Sequence, residues 1–247
     1  MALRLALAAV CLSWALGALA AGPAEGAAVT GRLLFTQGPG RGRALPAAEG
    51  VVWLVPLSSS PPPAFFPEGE ASPHHLRLVQ KHKQFIPHIL IVPLGSVVEF
   101  PNEDPIFHNV FSLFEGKRFD LGLYEAGSSR NVRFDRAGIC YIFCNIHAEM
   151  SAVVVVLETP YYAVTDQSGA VTIPQVPPGP YRLHVWHERA LPEFLESLTR
   201  EVTIAEGSAS LGTIQLKEAS GISIGHKNKY GRDYEAPAPP SPLYQRP

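Results

Sequence analysis

Short runs of β-branched and aromatic residues fill the middle of the chain, between positions 84 and 157. We distinguish roughly seven or eight such runs there, each separated from the next by turn residues. The 24 Pro and 21 Gly residues of the chain interrupt it too often for long helices. These features predict an all-β fold whose central part is a β-sandwich.

A second set of strand-like runs flanks this region on both sides. Two runs lie at residues 29–36 and 51–57, and about five more follow after residue 160. The flanks therefore predict a second β-sandwich. Beyond them, residues 217–247 are polar and Pro-rich, so we expect this tail to be mostly disordered or to lie on the surface.

Residues 1–20 have the pattern of a secretory signal. Arg4 supplies the positive charge, residues 5–16 are apolar, and we expect cleavage directly before Ala21. No other segment approaches about 18 consecutive apolar residues, so we expect an exported, soluble mature protein without a membrane span. The net charge of −2 does not favour binding to nucleic acid or to an anionic membrane surface.

Two cysteines remain after removal of the signal, Cys140 and Cys144. They are four residues apart in one strand-like run, which places their Cα atoms about 13 Å apart, well beyond the ~7 Å limit for a disulfide. Two free thiols in an oxidising compartment call for an explanation. We expect Cys140 to be a buried core residue and Cys144 to be a metal ligand.

The metal prediction rests on four side chains. Cys144, His147 and Met150 follow one another at intervals of three residues, and His108 lies upstream. A lone Cys, His or Met is usually a packing or surface residue. Together, however, a thiolate, two imidazoles and a thioether form the ligand set of a mononuclear blue-copper site. We therefore predict that these four residues bind one copper ion, Cu(I)/Cu(II).

Residues 84–157 resemble the cupredoxin family of plastocyanin and amicyanin, through V-V-E-F-P-N-E-D, H-N-V and C-N-I-H-A-E-M. The resemblance implies a Greek-key sandwich over residues 76–158, with His108, Cys144 and His147 as equatorial ligands and Met150 as the axial one. It also implies that Asn109 ties the two ligand-bearing loops together.

The flanking residues resemble a carboxypeptidase-regulatory-like, transthyretin-type sandwich, through V-T-G-R-L, V-V-W-L-V and T-D-Q-S-G-A-V-T-I-P-Q-V-P-P-G-P-Y-R-L. That module is normally continuous, so the resemblance implies a discontinuous unit of residues 28–57 and 160–216 into which the cupredoxin is inserted. The whole layout resembles bacterial periplasmic proteins labelled methylamine utilization protein, which implies a periplasmic location.

These observations favour a periplasmic electron carrier with no catalytic turnover, because every ligand position is filled and no open site remains for a substrate. We expect its redox partners to dock on an apolar patch beside His147, a small interface of the kind typical of electron transfer. We expect the patch to be formed by Pro105, Ile106, Ile146 and Ala148. Glu149 and Asp104 are expected at its rim, with Asp104 otherwise a turn residue.

Three alternatives remain open. The same ligands could serve copper storage or delivery, and the flanking sandwich could be a glycan-binding or structural module. A binuclear copper centre with two Cys, one of them Cys140, has a related sequence pattern, although here the spacing to the second His is one residue shorter.

Overall fold

A computed structural model describes residues 26–36, 45–58, 76–113, 117–219 and 227–234. The predicted signal at residues 1–20 lies outside the described residues, as does almost all of the low-complexity segment at 58–73. Among the residues that are described, no helix is both long enough and apolar enough to span a bilayer.

The described residues form eighteen strands and one short helix, so the prediction of an all-β fold is confirmed. In chain order the elements are β1 Ala27–Thr36, β2 Leu45–Pro46, β3 Val51–Pro56, β4 Leu76–Arg77, β5 Val79–Lys81, β6 Gln84–Ile86, β7 Ile89–Pro93, β8 Val97–Pro101, β9 His108–Ser112, β10 Phe119–Tyr124, β11 Ser129–Arg133, β12 Gly138–Phe143, β13 Ser151–Leu157, β14 Tyr162–Val164, β15 Ala170–Val176, β16 Gly179–Trp186, α1 Pro192–Ser197, β17 Arg200–Ile204 and β18 Ser208–Lys217.

Two outer sheets join the beginning of the chain to its second half. One has the order β15-β1-β18, with β2 added to β1, and the other has the order β14-β3-β16-β17. Strand β1 pairs antiparallel with β15 and parallel with β18, while β3 pairs antiparallel with β14 and β16. All the strands from β4 to β13 therefore lie, in sequence, between strands that share a sheet.

Those ten intervening strands form sheets of their own. A five-stranded sheet has the order β10-β9-β12-β13-β7, and a three-stranded sheet has the order β11-β8-β4. A small hairpin, β5-β6, turns at His82 and Lys83, both with positive φ angles (55° and 56°), as a two-residue type I′ hairpin turn requires. We call these three sheets the inner unit, and the two outer sheets the outer unit.

Strand β13 belongs to the cores of both units. Side chains in a strand alternate between the two faces of the sheet, and here Val153, Val155 and Leu157 join the outer core while Val154 and Val156 join the inner core. Burying a side chain of this size contributes roughly 1.5–3 kcal/mol. The five-stranded sheet is thus a shared wall, packed against the outer unit on one face and enclosing the inner core on the other.

A polar contact also joins the two units. The Nε2 atom of His88 lies 2.8 Å from the carboxylate of Glu188, and its Nδ1 atom lies 3.2 Å from the backbone carbonyl of Ser151. The hydrogen bond to Glu188 is the main cause that raises the pKa of His88, and the same bond lowers the pKa of Glu188. We refer to this pair as the His88–Glu188 latch.

Candidate metal centre

His108 is the first residue of β9, a strand whose five residues are all buried. The loop before it is shaped by Asn102, whose side-chain amide donates to the carbonyl of Ile106 (2.8 Å) and whose side-chain oxygen accepts from the backbone N–H of Asp104 (3.1 Å). Asn and Asp commonly fold such turns on themselves in this way. The loop therefore fixes Asp104 four residues before His108, within reach of the imidazole.

Asp104 is buried, with 7% of its surface exposed, and its carboxylate lies 2.8 Å from Nε2 of His108. It also accepts hydrogen bonds from the backbone N–H groups of His82 (2.7 Å) and Lys83 (2.8 Å). The expectation that Asp104 lies at the rim of a surface patch was therefore wrong. Its position in a turn was anticipated, but its contact with the imidazole of His108 was not.

This contact determines which nitrogen of His108 can bind a metal. Burial tends to raise the pKa of Asp104, but the hydrogen bonds from Lys83, His108 and His82 outweigh burial and lower it, so the group is a carboxylate and can only accept. Nε2 of His108 must then carry the proton that it donates. The Nδ1 atom keeps its lone pair, and it is Nδ1 that faces Cys144 and His147.

Cys144, His147 and Met150 lie on one closed loop between β12 and β13. The backbone N–H of Cys144 donates to the carbonyl of Met150 (3.2 Å), and that of Met150 donates to the carbonyl of His147 (3.1 Å). Because β12 and β13 pair with each other up to Phe143 and Ser151, the sheet holds both ends of the loop. Residues 144–150 thus form a compact loop that connects the two strands of this hairpin.

Three donor atoms converge between this loop and β9. The Nδ1 atoms of His108 and His147 are 3.1 Å apart, and the sulfur of Cys144 lies 3.9 Å and 3.6 Å from them, respectively. Protein ligands bind a borderline metal ion at about 2.0–2.3 Å, so two ligands on one ion are at most about 4.6 Å apart. All three separations fall below that limit, so the residues fit a single ion. Among the described residues, these three form the one group of His, Cys, Asp or Glu whose spacing would suit a metal.

The electrostatic environment affects the two ligands of the loop in opposite ways. Burial raises the pKa of the Cys144 thiol, although the backbone N–H groups of Asn109, Ile146 and His147 oppose this by pointing at the sulfur. Burial and the neighbouring His108 lower the pKa of His147, so its imidazole is neutral near pH 7. A neutral imidazole can bind a metal ion directly, whereas the thiol must first lose its proton to do so.

The two remaining site residues lie close to this group. Met150 is completely buried, in the same cluster of apolar side chains as Cys144. Asn109 reaches the sulfur of Cys144 through its backbone N–H, but its side-chain amide points the other way, to the carboxylate of Asp120 (2.7 Å) and the carbonyl of Gly122 (2.9 Å). The side chain of Asn109 therefore ties β9 to β10 and does not reach the 144–150 loop.

Cys140 has a different environment. It points into the inner core from β12, with its sulfur 3.3 Å from the hydroxyl of Ser112 and 3.4 Å from the carbonyl of Lys117. It does not belong to the group formed by His108, Cys144 and His147. This placement fits a core cysteine and does not supply the second thiolate of a binuclear centre.

The surface near the site is apolar on the side of His147. The four residues expected in the patch are all exposed: Pro105, Ile106, Ile146 and Ala148. Phe107, which was not predicted to belong to the patch, is exposed as well. His147 is partly exposed, whereas His108 is fully buried.

A short part of the tail also reaches the site. Tyr234 donates its hydroxyl to the carbonyl of Cys144 (2.5 Å), and the backbone N–H of Lys229 donates to the side chain of Asn145 (2.9 Å). Within the predicted tail, residues 227–234 are thus ordered and lie at the surface beside the ligand loop. No sequence signal points to Tyr234, since it lies 90 residues from Cys144. Asp104, by contrast, has a local signal, its spacing of four from His108.

Comparisons with known proteins gave one partial family match and several partial structural matches. Residues 153–211 match the family model "Polysaccharide lyase family 4, domain II". No curated protein matches the sequence.

The structural matches include copper-containing nitrite reductase from Thermus scotoductus SA-01, with 22% identity over 35% of this chain and a TM-score of 0.33. That match spans only 23% of the reductase. A novel purple cupredoxin from Nitrosopumilus maritimus matches with 22% identity over 39% of this chain and 94% of its own, with a TM-score of 0.29. A reduced amicyanin mutant matches with 20% identity over 43% of this chain and 98% of its own, with a TM-score of 0.33.

Proposed function

We propose that this protein binds one copper ion through His108, Cys144, His147 and Met150 and carries single electrons between redox partners in the periplasm. The observation that carries the proposal is the convergence of two imidazole nitrogens and one thiol sulfur within 4.8 Å of one another. Copper bound by such donors supplies a one-electron Cu(I)/Cu(II) couple.

The surroundings of the ligands suit this role because they restrict movement. His108 is fixed by β9 and by Asp104, and Cys144 is fixed at the end of the β12–β13 hairpin. Ligands on strands that are themselves held by a sheet change position little when the charge at the site changes. A site that reorganises little favours rapid electron transfer over ligand exchange.

A complete ligand set of four residues supports a carrier over an enzyme in this proposal. With Met150 as the fourth ligand, no position is left for a substrate, and we therefore propose that the protein has no catalytic turnover of its own. The partly exposed edge of His147 and the apolar side chains beside it, Ile106 and Ile146, would form a small docking surface for a redox partner.

The decisive experiment is a copper titration of the mature protein, followed by its visible absorption spectrum. We expect one equivalent of copper and an intense thiolate-to-copper band. Cys144→Ser should abolish the band, while Cys140→Ser should retain it because Cys140 lies in the core, away from the two His. An uncoloured copper-loaded protein, or a band that survives in Cys144→Ser, would refute the proposal.

The same sample distinguishes electron transfer from copper storage or delivery. A carrier retains its copper against a chelator and is reduced and reoxidised reversibly at an electrode. Rapid loss of copper to the chelator, without reversible redox chemistry, would instead assign the site to storage or delivery.

A further inference from the structure

Residues 227–234 fold into a compact turn that lies against the candidate metal centre. The side-chain oxygen of Asn228 accepts from the backbone N–H groups of Tyr230 and Arg232, both at 3.0 Å, and Gly231 has the positive φ of 75° that favours glycine. The backbone N–H of Gly231 donates to the carbonyl of Asn228, and that of Asn228 donates to the carbonyl of Arg232. The segment, which we call the strap, thus has a defined shape of its own.

The strap contacts the ligand loop at two adjacent residues. The Tyr234 hydroxyl donates to the carbonyl of Cys144, and the backbone N–H of Lys229 donates to the side-chain oxygen of Asn145. A backbone carbonyl can only accept, so the phenol is the donor of this bond. The carbonyl that it binds belongs to the residue whose sulfur is the proposed copper ligand.

The strap also contacts the other ligand-bearing segment. The Lys229 ammonium lies 2.7 Å from one carboxylate oxygen of Asp120, and the other oxygen accepts from the side chain of Asn109 at 2.7 Å. Burial tends to raise the pKa of Asp120, but the bonds from Lys229, Asn109 and Gly122 outweigh it and keep the group ionised. Asn109 in turn directs its backbone N–H to the sulfur of Cys144.

We propose that the strap is a positioning element of the metal centre, with Tyr234 as its main positioning residue. By binding both the 144–150 loop and, through Asp120, the start of β9, it fixes the distance between the two halves of the ligand set. This proposal rests on the proposed function in so far as the ligand set holds copper. The contacts themselves do not depend on a metal.

The test compares Tyr234→Phe with Tyr230→Phe in the full-length mature protein. The two substitutions remove the same atom from the same segment, but Tyr230 is 72% exposed and its side chain contacts Lys229 and not the Cys144 carbonyl, so it controls for a change in the strap that leaves the Cys144 contact intact. In copper-free protein, we expect Tyr234→Phe to speed the alkylation of Cys144 about two- to tenfold, because one hydrogen bond that opposes opening of the loop is lost. The alkylation of Cys140, read in the same mass spectra, should not change.

In copper-loaded protein, we expect Tyr234→Phe to lower the reduction potential and shift the thiolate-to-copper band, because the Cys144 carbonyl loses the donor that withdraws electron density from it. Tyr230→Phe leaves the contact with Cys144 intact, so it should change both measurements less than Tyr234→Phe does. Lys229→Met should also lower the reduction potential, but by less, because it removes the contact of the strap with Asp120 and leaves the contact of Tyr234 with Cys144 in place.

The outcomes separate this proposal from the one on which it rests. A coloured parent whose potential, spectrum and Cys144 alkylation are all unchanged in Tyr234→Phe overturns the strap proposal alone. Equal effects of Tyr234→Phe and Tyr230→Phe also overturn it, since the hydroxyl contact would then be irrelevant. A parent that never becomes coloured overturns the copper proposal, and with it any role of the strap at copper, whatever the alkylation shows.

Discussion

The two faces of the five-stranded sheet differ in chemistry although the same strands supply both. The face toward the outer unit carries apolar side chains such as Ile91, Ile139 and Val155, packed against the outer core. The inner face carries Cys140, Val154 and Val156, and the loop at the end of the β12–β13 hairpin adds Cys144 and Met150 to the same buried cluster. The buried side chains of Asp104 and His108 lie beside this loop.

Because successive side chains of a strand point to opposite faces, the residues that pack the sheet against the outer unit are separate from those that pack near the site. Neighbouring residues in β12 and β13 belong to different cores. Moving along either strand by one residue therefore moves the side chain from the face packed against the outer unit to the face of the inner core. The apolar face holds the sheet in place, and the polar groups of the other face are held by hydrogen bonds, without which burial would be costly. Three comparisons of variants follow, beginning with the largest expected effect.

Asp104→Asn should weaken copper binding about tenfold or more, because hydrogen-bonded partners of metal-binding His typically contribute 10–100-fold to affinity. The amide keeps the shape of the side chain but removes the charge that fixes the proton on Nε2 of His108. Competition with a chelator of known affinity measures the change.

The matched control for this prediction is Glu103→Gln, at the neighbouring residue. Glu103 pairs with Arg77 and Lys81 and does not contact His108. It should bind copper as the parent does. Equal weakening in both variants would show that general loss of negative charge, and not the contact with His108, controls affinity.

Val154→Ala and Val155→Ala compare the two faces at neighbouring positions of β13. Both side chains are fully buried, so each substitution should lower the free energy of unfolding by about 2 kcal/mol, from two lost methyl groups and a cavity. Only Val154→Ala should also weaken copper binding, about twofold or more, because Val154 shares the inner core with Cys144 and Met150. Urea unfolding of copper-free protein and chelator competition measure the two effects, and a copper defect in Val155→Ala would contradict the separation of faces.

Glu188→Gln should have the smallest effect, below about 1 kcal/mol, because the His88–Glu188 latch is partly exposed to solvent. The pKa of His88 is raised above its ordinary value of 6.5, so its stabilising contribution is complete below that pH and is lost as the pH rises through the raised pKa. The pKa of Glu188 is lowered from 4.5, so its contribution is complete above pH 4.5 and is lost as the pH falls through the lowered pKa.

The parent should therefore exceed Glu188→Gln in stability most clearly between pH 4.5 and 6.5, and the difference should shrink towards higher pH. Urea unfolding of copper-free protein at several pH values within and above this window measures it. A difference that grows above pH 6.5 would show that the latch does not bind a proton on folding.

Much of the site is local in sequence, and this is why it could be predicted. Cys144, His147 and Met150 occupy one loop, so their spacing alone brings them near one another, and residue type singled out His108 as a fourth ligand. The structure places His108, Cys144 and His147 together, while ligation by Met150 stays a prediction. Strand periodicity likewise predicted the all-β fold, because alternation of side chains is a property of each strand by itself.

The sequence by itself thus determined the strands and which residues could bind a metal, since both depend on near neighbours and on residue chemistry. Only the tertiary structure decided that Tyr234 reaches the carbonyl of Cys144 and that Lys229 reaches the carboxylate of Asp120. Such a hydrogen bond forms only when folding brings the donor and the acceptor together. When the two residues are 90 positions apart in the chain, no local sequence pattern predicts that contact.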